Sequence, residues 1–238
     1  MRRIFGCFKW GQPLILGLLL VAFGLAVFLA LARAVVAQTN FGFDQGILTW
    51  LSRVASPGLT RLMLYVSDSA TVWFIGPVLL VLAVLWWRHY RQDWIALTVV
   101  VVGATILNEV AKLIFVRARP TLFPHLQDVI GYSFPSGHSQ AAMAFYSVFA
   151  YLIARRLDPK WRLPAYFAAG CWILLVGLSR NYLEVHYPSD VLAAFAVTLP
   201  WALAVIFVHQ CYAPPVRGQE KVIKPEPGAG ATHPGEVN

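Results

Sequence analysis

Residues 13–32, PLILGLLLVAFGLAVFLALA, carry no charge from end to end. About 20 predominantly apolar residues are what a helix needs to cross the hydrocarbon of a bilayer, where backbone polar groups must satisfy one another within the segment. Five further stretches come close: residues 69–87, 94–116, 138–154, 163–179 and 191–208. The last two are short as pure apolar runs, but their flanks can extend them. Pro77 and Pro200 fall inside such stretches, which membrane helices tolerate better than soluble ones. Composition agrees, with 58% of the 238 residues hydrophobic, 13% charged and a mean hydropathy of +0.63. That is too apolar for an ordinary soluble domain. The sequence predicts an all-α, six-transmembrane-helix bundle.

The basic residues give the expected orientation. With the N-terminus in the cytoplasm, 12 of the 19 Lys and Arg fall on the inside, Arg88, Arg91, Arg155 and Arg156 among them, as the positive-inside rule requires. The formal charge of +8 is then anchoring charge, with attraction to anionic headgroups, rather than a nucleic-acid footprint, because no soluble basic domain exists to carry one. Cys7 and Cys211 fall on the cytoplasmic side and Cys171 mid-helix, so no disulfide is expected.

Three polar strings stand at the ends of the apolar stretches: Lys112 to Arg119-Pro120, then Pro135-Ser136-Gly137-His138, then Ser179-Arg180 with His186 and Asp190. All emerge on the expected non-cytoplasmic side. Lysine, two arginines and a Ser-Gly turn at a helix start hold phosphate oxygens well, since unpaired N-terminal amides favour an anion. Two histidines and a carboxylate supply a nucleophile, a proton donor and an orienting acceptor. Beside membrane-length segments, the phosphate is expected on a lipid.

The spacing Lys-x6-Arg-Pro, Pro-Ser-Gly-His and Ser-Arg-x5-His-x3-Asp resembles, at every defining position, the signature of the type 2 phosphatidic acid phosphatase superfamily. The resemblance covers residues 112–190 by motif. It implies a helical, metal-independent phosphatase with His186 as nucleophile, Asp190 as its partner and His138 as general acid. It further implies that Lys112, Arg119, Ser136, Gly137 and Arg180 bind phosphate. No metal and no cofactor are expected. The residues suit those roles: attack needs an unprotonated ring nitrogen, so the opposite nitrogen must hold its proton toward an acceptor, and Asp190 is four residues away.

The expected activity is hydrolysis of the terminal phosphate of a lipid phosphate or pyrophosphate, of the phosphatidic acid, phosphatidylglycerol phosphate or undecaprenyl pyrophosphate type, through a phosphohistidine. A lipid phosphotransferase using the same site is the alternative, and a lipid transporter or scaffold a more distant one. The expected setting is a bacterial cell membrane with the site facing the periplasm or exterior, and the expected partners are the lipid substrate and membrane lipids. A zinc site built from His138, Glu184, His186 and Asp190 competes, but adjacent cations would repel a divalent ion.

Two supporting acids complete the site. Glu109, at i to i+3 from Lys112, is expected to aim it, and Glu184, four after Arg180, either restrains that arginine or is a solvated loop carboxylate. The chain divides into an N-terminal segment with the first helix, 1–37; a non-cytoplasmic loop with an amphipathic helix at 43–54, 38–68; a phosphatase core with five helices, 69–210; and a disordered Pro/Gly-rich cytoplasmic tail, 211–238. Headgroup choice is expected in the segment holding Phe123, His125, Gln127, Asp128, Tyr132 and Phe134.

Overall fold

A computed structural model describes residues 12–39, 41–70 and 72–213, and among these the chain forms eight helices and no strand. In chain order they are α1 (Gln12–Val36), α2 (Gly42–Arg53), α3 (Pro57–Asp68), α4 (Val72–Trp87), α5 (Arg91–Phe115), α6 (Gly137–Ala154), α7 (Pro159–Tyr182) and α8 (Pro188–Tyr212). The helix starts follow local chemistry. Pro57, Pro159 and Pro188 open α3, α7 and α8, where a missing N–H costs nothing and the fixed φ suits the first turn. Ser56 caps α3 by accepting from the Leu59 amide at 3.4 Å.

Four of these helices are long and apolar enough to cross a membrane: Ile15–Val36 within α1, and α5, α7 and α8. The apolar part of α4, Ile75–Trp87, is shorter, and Pro77 lies within the helix. α6 is central instead, packing on α5, α7 and α8. Helices already surround it, so its sequence tolerates Ser139 and Gln140 in the first turn, both buried. The main core joins Leu97 and Val100 of α5, Phe145, Val148 and Leu152 of α6, and Val205 of α8.

The segment expected as a loop with one amphipathic helix holds two helices. α2 buries Asp44, Leu48 and Leu51, spaced to form one stripe, while Phe43, Ile47 and Trp50 stay exposed. α3 buries Met63, Val66 and Ser67 and lies on α7. The 211–238 tail also needs one correction, because α8 continues to Tyr212; residues 214–238, like Cys7 and the rest of residues 1–11, lie outside the described residues.

α7 and α8 meet closely at Gly177. A Cβ there would fall 2.7 Å from Val191 Cγ1 and 2.8 Å from Phe195 Cζ, inside van der Waals contact.

Candidate active site

Helix polarity carries the three motifs to one end of the bundle. α5 and α7 bring their C-termini there, with Lys112 and Arg180, while α6 and α8 bring their N-termini, with Gly137, His138 and Asp190. α5 stops at Val116, whose φ of 46° turns the chain out of the helix. From there Arg117 and Arg119 lead off in different directions.

His186, in the loop between α7 and α8, is 2% exposed, and its carbonyl accepts from Asn181 Nδ2 at 3.0 Å. Its Nδ1 lies 3.6 Å from Asp190 Oδ2, longer than a hydrogen bond. Ser133 fills that gap: its Oγ donates to Asp190 Oδ2 at 2.5 Å and stands 3.3 Å from Nδ1. The network therefore assigns the ring proton to Nδ1. Nε2 is left as an acceptor, 3.3 Å from Arg119 Nη1. Burial pushes the imidazole down to about 4, Asp190 pulls against that, and Arg180 and Arg119 push with it. At neutral pH the ring is uncharged.

Asp190 is fully buried and satisfied on both oxygens. Oδ2 also accepts from the Tyr187 amide at 2.9 Å, and Oδ1 from Arg117 Nη1 at 2.5 Å. Arg119 is held at 3.0 Å by the Ile130 and Gly131 carbonyls and at 2.8 Å by that of Val185. Ser136 joins the group through its amide, which donates to the Asp190 carbonyl at 3.2 Å, and its hydroxyl accepts from Ser139 Oγ at 2.9 Å.

Lys112, Gly137 and His138 line a cavity of about 220 Å³ with Asn108, Thr105 and Ala141. A side chain at Gly137 would intrude on it, since a Cβ would stand 3.1 Å from Asn108 Oδ1 and 3.7 Å from Lys112 Nζ. Asn108 is pinned in turn, donating to the Pro135 carbonyl at 3.2 Å and to Gln140 Oε1 at 2.9 Å. Arg180 is 1% exposed. It donates to Ser67 Oγ of α3 and, at 2.6 Å, to Gln127 Oε1, while its Nε has no partner. A buried, unpaired guanidinium N–H is costly unless something binds it.

The supporting acids divide. Glu109, largely exposed, lies 3.5 Å from Lys112 Nζ, so the pair is loose. Glu184 neither restrains Arg180 nor meets water: it is 2% exposed, both carboxylate oxygens lack a partner, and its φ of 60° aims the backbone away from a helical i to i+4 pairing. Burial pushes its carboxyl up to about 7. Phe134 serves packing rather than headgroup choice; it is fully buried and stacks against Phe28 and edge-on to Phe115. Among the described residues no cluster of His, Cys, Asp and Glu is arranged to hold a metal ion.

Sequence reasoning missed Ser133, Arg117, Asp44, Gln140 and Asn181. Asp44 had a signal, an acid on the Leu48–Leu51 stripe of α2. Ser133 had none beyond its place next to the second motif.

The PAP2 superfamily profile matches residues 93–213. Phosphatidylglycerophosphatase B of Bacillus subtilis is 32% identical over 176 residues, covering 72% of this chain and 86% of that protein. An undecaprenyl-diphosphatase of Sulfolobus acidocaldarius is 28% identical over 174 residues, covering 68% and 77%. Among solved structures, that of a transmembrane PAP2 type phosphatidylglycerolphosphate phosphatase from Bacillus subtilis superposes with a TM-score of 0.69 at 30% identity, covering 77% of this chain and 94% of that one.

Proposed function

The chain belongs to the PAP2 superfamily, and on that premise we propose that it is an integral-membrane phosphatase that removes the terminal phosphate of a lipid phosphate or lipid pyrophosphate. The observation that carries the reading is His186: a neutral buried imidazole with Nδ1 backed by Ser133 and Asp190 and Nε2 turned to Arg119. That is a nitrogen nucleophile already facing a phosphate-binding cation.

Phosphate oxygens take the places around Arg119, Lys112, the Arg180 Nε–H and the amides opening α6, so that cations and dipoles are fixed where charge develops. Arg119 turns from Nε2 to a phosphate oxygen. Nε2 attacks phosphorus, the bond from phosphorus to the lipid oxygen breaks, and His138 gives that oxygen its proton. The Nδ1 proton stays between Ser133 and Asp190, which stabilise the ring as it gains charge. His138 then takes a proton from water, the hydroxide displaces the phosphohistidine nitrogen, and phosphate leaves. The protein's own cations carry the charge without a metal.

The reading extends to topology. α1, α4, α5, α6, α7 and α8 cross the membrane, with α2 and α3 against the non-cytoplasmic face and the site opening on that side of a bacterial cell membrane. Support comes from the distribution of basic residues and from the common end reached by Lys112, His138, Arg180 and Asp190. Residues 69–210 are the phosphatase core.

The test is phosphate release from a panel of lipid phosphates in detergent with excess chelator. Phosphatidylglycerol phosphate and undecaprenyl pyrophosphate, named for two relatives, head the panel. Wild type should turn over under chelation, and His186→Ala, His138→Ala and Asp190→Asn should not match it. Activity lost on chelation and restored by zinc, or retained in His186→Ala, sinks the mechanism.

A further inference from the structure

Asp44 lies on α2, outside the segment matched by the family profile, yet it is 2% exposed and its side-chain hydrogen bonds go to Ser189 at the start of α8 and to Arg117. Its Oδ1 accepts from the Ser189 amide at 2.8 Å and its Oδ2 from Ser189 Oγ at 2.6 Å. Arg117 Nη2 lies 3.2 Å from the same Oδ2. Arg117 in turn donates to Ser189 Oγ at 2.7 Å and to Asp190 Oδ1 at 2.5 Å, and its guanidinium lies over the Tyr187 ring, 4.1 Å from the centroid. One arginine thus grips three of the four residues that follow His186, and one carboxylate from a distant helix fixes that arginine.

The first amides of a helix have no intrahelical acceptor, and a carboxylate there is favoured by the dipole. At α8 that carboxylate comes from Asp44, 145 residues earlier in the chain. Because Asp190 sits in this same first turn, anything that rotates the turn moves Oδ2 relative to Ser133 and His186. Burying two carboxylates around one arginine is expensive, and its cost is met only while the geometry is complete. Resting on the phosphatase reading above, we propose that Asp44, acting through Arg117 and the Ser189 amide, is a positioning residue for the His186–Ser133–Asp190 relay, so that α2 is a working part of the active site. Neither residue faces the phosphate cavity.

The proposal is tested by a double-mutant cycle on phosphatidylglycerol phosphate hydrolysis, comparing Asp44→Ala, Asp190→Asn and the double variant. Outer partners that orient a reacting group are worth about 10- to 100-fold, so Asp44→Ala should lower kcat by about tenfold or more and leave KM within about twofold. In the Asp190→Asn background the same change should cost less than about twofold, because the group being positioned is already gone. Asp44→Asn keeps an acceptor for the Ser189 amide and should fall between; it and Arg117→Lys carry the cycle if Asp44→Ala does not fold. The idea is overturned if kcat of Asp44→Ala equals wild type, as a purely structural clasp would give, if the two losses multiply, or if KM rises with kcat unchanged, which would mean that substrate binding rather than positioning was lost. Failure of wild type on every lipid, or activity in His186→Ala, removes the phosphatase reading itself and is seen before the cycle is run.

Discussion

At one end of α5, α6 and α8 stand His186, Asp190, Arg117 and Arg119. At the other, about 28 Å away along α8, stand His209, Asp93, Arg155 and Arg156, much the same residue types and equally well buried at the His and Asp. In the far cluster the protein uses up the histidine. His209 Nε2 meets Asp93 Oδ1 at 2.7 Å and Nδ1 meets Tyr151 Oη at 3.0 Å, while Arg156 pairs with Asp93 Oδ2 and lies over Tyr90, and Arg155 is 3.6 Å from Oδ1. In the near cluster capacity is left over. His186 Nε2 meets only an arginine, Arg180 Nε meets nothing, and Gly137 and Lys112 border a cavity. A buried His–Asp–Arg set is therefore a staple or a site according to what remains unspent, and residue type alone does not decide.

The sharpest way to break the comparison is to disable one residue in each cluster. His186→Ala should cut phosphate release to below about a thousandth of wild type while the protein still melts cooperatively. At the far end, Asp93→Asn leaves charges without their partner and should cost about 3–5 kcal/mol of stability, read as a lowered Tm, with kcat/KM per folded molecule unchanged. If that variant melts normally but loses turnover, the far cluster is not a staple.

Smaller changes sharpen it. Ser133→Ala breaks the relay without changing His186 or Asp190 and should cost about tenfold in kcat, with Ser133→Thr recovering part of the loss. Since burial holds His186 at about 4, its protonation should remove activity only as pH falls through about 4 in the pH profile of kcat/KM; an acid limb near the ordinary value of 6.5 would show that the ring is not kept neutral by its surroundings. Glu184 gives the smallest effect. Its carboxyl is raised from 4.5 to about 7 in the fold, so its contribution is most favourable below the ordinary value and is lost as pH rises through about 7. Glu184→Gln should raise Tm at pH 8 and change it little at pH 5.

The candidate site residues were legible because each motif is local: Lys112, Gly137, Arg180 and His186 sit at or beside helix ends that the apolar runs already mark. What supports them was not. Asp44 and Arg117 are 73 residues apart, and no periodicity links an acid on α2 to an arginine two places before a motif residue. α3 escaped because Ser56-Pro57 marks a helix start but its apolar stripe of Leu59, Met63 and Val66 is short and interrupted by Arg61. That α6 lies at the centre of the bundle was not legible, because hydropathy counts apolar residues without telling whether helices or lipid surround them. Glu184 was misread because i to i+4 pairing presumes a helix that ends at Tyr182.

Gly177 sets a gauge. It lies one turn before Arg180, against Val191, the neighbour of Asp190, so the missing methyl group determines how far the Arg180 end of α7 stands from the Asp190 end of α8. A larger residue there would act as a jack between the two helices, spreading their ends apart from a point outside the cavity that Lys112, Gly137 and His138 line.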